Sequence, residues 1–340
     1  MLQALFHAWE RRLASVTKDR VIRPFEWGLD WIPANGHNPG AAPADVIDHY
    51  VSGVMADTDA FFTPPPITDY TLTPAADGDL LTFPSALVTP HESNNTVRCR
   101  YFAAKGAKAA VLVMPQWNSD EGGHIGLSKL LAINGMSALR LSLPYHDLRM
   151  PPELRRADYI VSANVMRTLQ VCRQAVLDAR RAIAWLKLRG YERIGILGTS
   201  LGSCLALLTT AHEPLIQAEA LNHISPYFAD VVWRGLSTAH VREGLNGHVE
   251  LDVLRSIWQP ISPRGYLERL RNRKTLLVYA RYDLTFPVDL SEDLVQAFKD
   301  QGIPHEVAVL RCGHYSTGKA PFKFVDGFIL TKFLKRALVR

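Results

Sequence analysis

"IGILGTSLGSC", residues 194–204, ends an apolar run at Gly198 and then crowds small residues and glycines around Ser200 and Gly202. Two very different turns use glycine this way. A dinucleotide site needs G-x-G-x-x-G, so that the backbone can approach a pyrophosphate. Here the glycines stand at 195, 198 and 202, which does not match. A phosphate-binding P-loop needs G-x-x-x-x-G-K-[ST], and no Gly-Lys-Ser/Thr occurs in the chain. What remains is G-x-S-x-G at Gly198–Gly202, set between a strand pattern and a helix pattern. That turn is so sharp that the residues flanking the serine must be small, and it holds the hydroxyl clear of the sheet. Ser200 therefore reads as a nucleophile on an elbow.

The flanking sequence predicts the layers around the elbow. "KAAVLVMPQW" (108–117), "SALRLSLP" (137–144), "ERIGILG" (192–198), "QAEALNH" (217–223), "KTLLVYA" (274–280) and "HEVAVL" (305–310) read as strands. Helical patterns separate them at about 126–136, 158–189, 200–212, 289–302 and from 320. Apolar strands alternating with helices specify a mostly parallel central sheet with helices on both faces. Such sheets place ligand sites beyond the carboxyl ends of their strands. Upstream, 80–90 and 96–104 read as two antiparallel strands, and 33–66 as loops and short helices. Leu2, Leu5, Phe6, Trp9 and Leu13 fall on one helical face, expected to pack on the domain.

A serine hydroxyl is a poor nucleophile at neutral pH and needs a base, which in turn needs an orienter. Around such an elbow the acid and then the histidine follow the serine in sequence. "KTLLVYARYDLTFP" places Asp283 just past a strand, and "HEVAVLRCGHYSTG" places His314 just past the last one. The competitors sit less well. Asp289 and Glu292 lie at a helix start, where acidic residues are ordinary. Asp230 and His248 fall in an insertion, His305 opens a strand, and His212 and His223 precede the place where the base is expected. Catalytic Ser200, Asp283 and His314 are the resulting set. The tetrahedral oxyanion needs backbone donors. One is expected from Leu201, the residue after the nucleophile, and the second from Trp117, with Gln116 as the alternative.

From about residue 96 onward the chain resembles the α/β-hydrolase superfamily of serine hydrolases. "SLPYHDLRMP" (142–151) and "DARRAIAWLKLRGYERIGILGTSLGSCLALL" (178–208) are similar to the α/β-hydrolase-domain-containing 18 family and its bacterial relatives. The resemblance implies an α/β-hydrolase fold and a serine hydrolase of open substrate, and it adds no cofactor or metal. Many relatives carry His-Gly after the oxyanion-loop strand, and Pro115-Gln116 is a departure from that.

Two further stretches are expected to line the site. The loop "LPYHDLRMPP" (143–152) follows a strand and offers Tyr145 and His146, with Asp147 and Arg149 read equally well as a structural ion pair. The insertion 225–263 is too long for an ordinary connection and is rich in aromatics. It reads as a helical cap, with Phe228 and Trp233 as candidate substrate contacts. The division expected is an N-terminal extension at 1–95 with a helix and first strands, then the hydrolase domain at 96–340.

Composition excludes little but points one way. The chain has 340 residues, a net charge of +5 and no long Lys/Arg run, so a nucleic-acid partner is not expected. Four cysteines stand far apart with no CxxC pair, against a disulfide framework or zinc site and in keeping with a reducing compartment. The first residues lack a basic start and are broken by His7 and Glu10, unlike a secretory signal. No uncharged apolar stretch of about eighteen residues occurs, so no transmembrane helix is expected. Helix 1 carries too few cations to suggest membrane association. The expectation is a cytoplasmic, cofactor-free serine hydrolase acting on a small ester or thioester. A peptidase or amidase is one alternative, and a non-catalytic hydrolase-like binding or scaffold protein is the other.

Overall fold

The computed structural model describes residues 2–33 and 40–339. The chain opens with helices α1 (Leu2–Ser15), α2 (Pro43–Ala56) and α3 (Thr58–Phe61). Strands β1 (Thr71–Thr73), β2 (Asp79–Pro84), β3 (Thr96–Phe102) and β4 (Ala109–Met114) follow, then α4 (Ile125–Ile133) and β5 (Met136–Leu141). Next come α5 (Val165–Leu188), β6 (Arg193–Thr199), α6 (Leu201–His212) and β7 (Ile216–Asn222). The long connection after β7 holds α7 (Phe228–Arg234), α8 (Ala239–Leu245) and α9 (Leu251–Ile257). The chain closes with β8 (Lys274–Ala280), α10 (Val288–Asp300), β9 (His305–Leu310), α11 (His314–Thr317) and α12 (Phe322–Leu338).

The nine strands form one sheet in the order β1-β2-β3-β5-β4-β6-β7-β8-β9. The first three pair antiparallel, and every pairing from β5 across to β9 is parallel. β4, β5 and β6 are buried on both faces because helices cover both: α5 and α6 on one side, α4 and α12 on the other. The mostly parallel α/β architecture is as the alternating pattern predicts. β1 and the fourteen-residue α2 were not anticipated, and positions 34–39 of the expected loop stretch lie outside the described residues.

Some expectations need correcting. The helix foreseen from 158 starts only at Val165, where the Asn164 side chain accepts from the Arg167 N–H at 3.0 Å and caps it. The apolar stripe of α1 is only partly used: Phe6, Trp9 and Leu13 are half-buried, while Leu2 and Leu5 are exposed. The deeply buried positions of α1 are Glu10 and Ala14. A buried carboxylate on a supposed surface helix is the more telling of these, because burial of an anion demands partners.

Candidate active site

β6 ends in the middle of the sheet, and the chain must turn back at once into α6. Ser200 accordingly adopts φ 57° and ψ −122°, a strained conformation for a residue with a side chain. The glycines around it are sterically required. A Cβ on Gly198 would sit 2.2 Å from the Gly202 carbonyl oxygen, and one on Gly202 would sit 2.2 Å from that of Met114. The elbow is pinned by the Ser200 N–H, which donates to Asn222 O at 2.7 Å. The parallel order then brings the ends of β8 and β9 to the same edge. His314 Nε2 lies 3.1 Å from Ser200 Oγ, and His314 Nδ1 lies 2.9 Å from Asp283 Oδ2. Asp283 is further held by the N–H groups of Thr285 and Phe286, which donate to Oδ1 at 2.7 and 2.8 Å. Burial pushes the Asp283 carboxyl up, but the His314 and His223 imidazoles outweigh it and hold the group well below the usual carboxylate range.

His223 is the residue the sequence reading passed over. It leaves β7 with φ 57°, is buried, and places Nδ1 2.9 Å from Asp283 Oδ2, so one carboxylate oxygen serves two imidazoles. Its Nε2 has no hydrogen-bond partner among the described residues. The sequence signal was present, a histidine directly after a strand at the ligand-binding edge, but it precedes the acid and was weighed only as a base. Among the described residues, His223, Asp283 and His314 are also the group whose potential ligand atoms lie within 4.8 Å of one another. Both Nδ1 atoms there are engaged with the carboxylate.

Glu10 was the other omission. Its carboxylate accepts from the Tyr315 N–H at 2.8 Å and from the Ser316 N–H at 2.9 Å, capping the helical turn that carries His314. Beside it, Phe6 stacks on Tyr282 at 4.6 Å, next to Asp283. Helix α1 therefore braces both loops that carry Asp283 and His314. No local pattern links position 10 to position 315.

A cavity of about 960 Å³ opens over Ser200. Its wall includes Gln116, Trp117, Leu201, Phe228, Val231 and Phe286. Leu201 N–H opens α6 and lacks an intrahelical acceptor, as first-turn groups do. The N–H groups of Gln116 and Trp117 make no hydrogen bond among the described residues. The Trp117 indole donates to Ala157 O at 2.9 Å, which fixes the loop that carries them.

Three expected substrate contacts are elsewhere. Tyr145 is fully buried outside the cavity, with its hydroxyl 3.0 Å from His91 Nδ1. His146 is also fully buried: Nδ1 donates to Pro144 O, and Nε2 accepts from the Asn118 N–H at 3.0 Å. Burial pushes His146 down to about 4, so it stays neutral and holds the loop after β4 through Asn118 rather than facing the cavity. Trp233 is not part of the cavity wall, and the Arg242 guanidinium stands 5.4 Å from its ring. The 143–152 loop turns inward, and its polar tips, once buried, are satisfied by the protein itself: Tyr145 by the His91 side chain and His146 by backbone. Asp147 and Arg149 do not pair with each other as expected: Asp147 pairs with Arg140, and Arg149 with Asp178, both outside the 143–152 loop. Of the competing acids, Asp230 is bound by Arg255 and Asp289 by Arg234. In the cavity the sequence reading also missed His124, 2.9 Å from Thr199 Oγ1 and pushed down to about 4 by burial, and Thr17 and Arg20 just after α1.

The fold is that of the α/β-hydrolases. Solved structures with it include an acetyl xylan esterase from Paenibacillus sp. R4, at TM-score 0.61 and 14% identity over 91% of this chain and 98% of that one. Pyrococcus furiosus esterase Pf2001 matches at TM-score 0.54 and 15% identity, over 81% of this chain and 98% of that one. Pyrococcus horikoshii acylaminoacyl peptidase matches at TM-score 0.60 and 15% identity over 80% of this chain, which spans only 42% of the peptidase. No protein-family model matches the sequence, and no curated protein is significantly similar to it.

Proposed function

We propose that this chain is a cofactor-free serine hydrolase that cleaves a carboxylic ester or thioester through an acyl-enzyme. The observation that carries the reading is the unbroken relay from Ser200 to His314 to Asp283, opening into an apolar cavity. Ser200 Oγ attacks the carbonyl carbon while His314 Nε2 takes its proton. The oxyanion is received by the Leu201 N–H and by the Trp117 N–H, with Gln116 as the alternative donor. Collapse breaks the bond to the alcohol or thiol, which leaves with the proton returned by His314. Water, deprotonated by the same imidazole, then frees the acid and restores Ser200. Asp283 fixes the tautomer of His314 and stabilises its charged form.

In this reading residues 1–95 are an extension of a hydrolase domain at 96–340, and 225–263 caps the site. The cap is supported by Phe228, Val231 and Val232 of α7 in the cavity wall. The local similarity to the α/β-hydrolase-domain-containing 18 family belongs to the same proposal. Four buried, unbridged cysteines suit a reducing compartment such as the cytoplasm. An amidase is the second reading, favoured by the acylaminoacyl peptidase among the structural neighbours. Fluorophosphonate labelling with turnover of matched p-nitrophenyl esters and p-nitroanilides tests both. Ser200→Ala is expected to abolish labelling and to lower turnover by several orders of magnitude, with the fold intact. Wild-type-like turnover by that variant refutes the nucleophile, and faster anilide than ester cleavage moves the assignment to amides.

A further inference from the structure

Large apolar side chains left in water on one face mark a place where something else sits. The first turns of α12 expose Phe324, Val325 and Phe328 to 66, 47 and 62%. Phe324 also lines the cavity over Ser200, together with Lys323 and Gly327 of the same helix. Helix α1 abuts this point. The rings of Phe6 and Trp9 lie 6.1 and 6.4 Å from that of Phe322, the first residue of α12, while Leu2 and Leu5 remain 58 and 63% exposed. A single exposed leucine needs no explanation. Five large apolar side chains on two abutting helices, one of which lines the cavity through Phe324, do.

The charges around them have one sign. Arg11 and Arg12 of α1, Lys319 before α12, and Lys323 and Lys332 on it are exposed and without a carboxylate partner among the described residues. Arg336, further along, pairs with Glu306. The carboxylates of these helices are turned inward: Glu10 caps α11, and Asp326 accepts from Asn222 Nδ2 at 2.9 Å. The ammonium groups of Lys323 and Lys332 stand 5.0 and 5.6 Å from the Phe324 and Phe328 rings. Such a pairing suits a boundary where the ring enters acyl chains and the ammonium stays among phosphates. A second copy of the chain is a poor occupant, because a two-fold contact through this face would set like charges against one another.

We propose that α1 and α12 form a docking face for an anionic lipid bilayer, holding the cavity mouth at headgroup level. Resting on the hydrolase reading, this makes the substrate an ester that partitions into lipid. It departs from the expectation drawn from α1 alone, since half of the face comes from the far end of the chain.

The test is co-sedimentation of the full-length protein with vesicles of phosphatidylcholine, with and without phosphatidylglycerol. Binding is expected only with phosphatidylglycerol and is expected to fall as salt rises. Phe328→Ser, at an exposed position outside the cavity wall, is expected to weaken partition about tenfold or more. The double variant Lys319→Glu/Lys332→Glu is expected to remove binding at low salt. Both variants should hydrolyse a dissolved short-chain p-nitrophenyl ester like the wild type. Failure of the wild type to turn over that ester counts against the hydrolase reading, while vesicle binding is read independently of it. A wild type that stays in the supernatant with anionic vesicles at low salt overturns the docking face. So does binding indifferent to Phe328→Ser, and so does a concentration-dependent dimer that the same substitution dissociates.

Discussion

Replacing Glu10 by alanine tests whether the first helix is part of the active site. The carboxylate is buried and accepts two backbone hydrogen bonds, at 2.8 and 2.9 Å, from the turn that follows His314. Hydrogen bonds to a charged group contribute about 1.5–3 kcal/mol each, so the pair amounts to about 3–6 kcal/mol before the cost of burying the anion is set against it. The space cannot be refilled easily, since Gly313, which packs against Glu10, has no side chain to offer. A net loss of about 3 kcal/mol is expected, concentrated where His314 must stay 3.1 Å from Ser200. A misplacement of about 1 Å in a reacting group costs about a hundredfold in rate. Glu10→Ala should therefore lower kcat for a p-nitrophenyl ester about a hundredfold with little change in KM, under conditions where circular dichroism shows the chain folded. Glu10→Gln keeps the volume and one acceptor, and should fall between. Wild-type kcat in Glu10→Ala, or a loss that only tracks the unfolded fraction, refutes the bracing role.

Three further outcomes follow from particular groups. Asp283 is held low by its two imidazoles, so it stabilises the fold above the ordinary carboxylate range and loses that contribution as pH falls. His223→Phe removes one donor and should move acid unfolding, followed by circular dichroism, to higher pH; an unchanged midpoint denies His223 that role. Glu219 on β7 is pushed up to about 7 by burial, with Oε2 unpartnered among the described residues, so it lowers stability as pH rises from about 4.5 through 7. Glu219→Gln should gain up to about 3 kcal/mol above neutrality and little at acid pH, measured by denaturant titration; an equal gain at both refutes the assignment. Phe228 lines the cavity proposed to receive the acyl chain, and each methylene buried there should add about 0.8 kcal/mol, or about fourfold in kcat/KM. Phe228→Ala should shift the preferred ester to longer chains and spare the acetyl ester, and a flat chain-length profile refutes an acyl pocket.

How much of this could be read in advance depended on whether the signal was local. The elbow is local: strand, five residues and helix are contiguous, and sterics alone demand glycine at 198 and 202. Asp283 and His314 were legible because a parallel sheet sends every strand end to one edge, so position after a strand stands in for position in space. The layers followed from the alternation of strand and helix patterns. Tyr145, His146 and Trp233 were misjudged because a polar or aromatic residue in a loop or cap helix looks the same whether its partner is a ligand or the chain itself. Only packing decides between them. His223 needed the observation that Asp283 has room for two imidazoles on one oxygen. Glu10 and the apolar, basic rim needed more still, because they join the first helix to the loop of His314 and to the last helix. Hydrophobic periodicity assigns a residue to a face of its own element. Which face of which other element it meets is set by the closed tertiary structure.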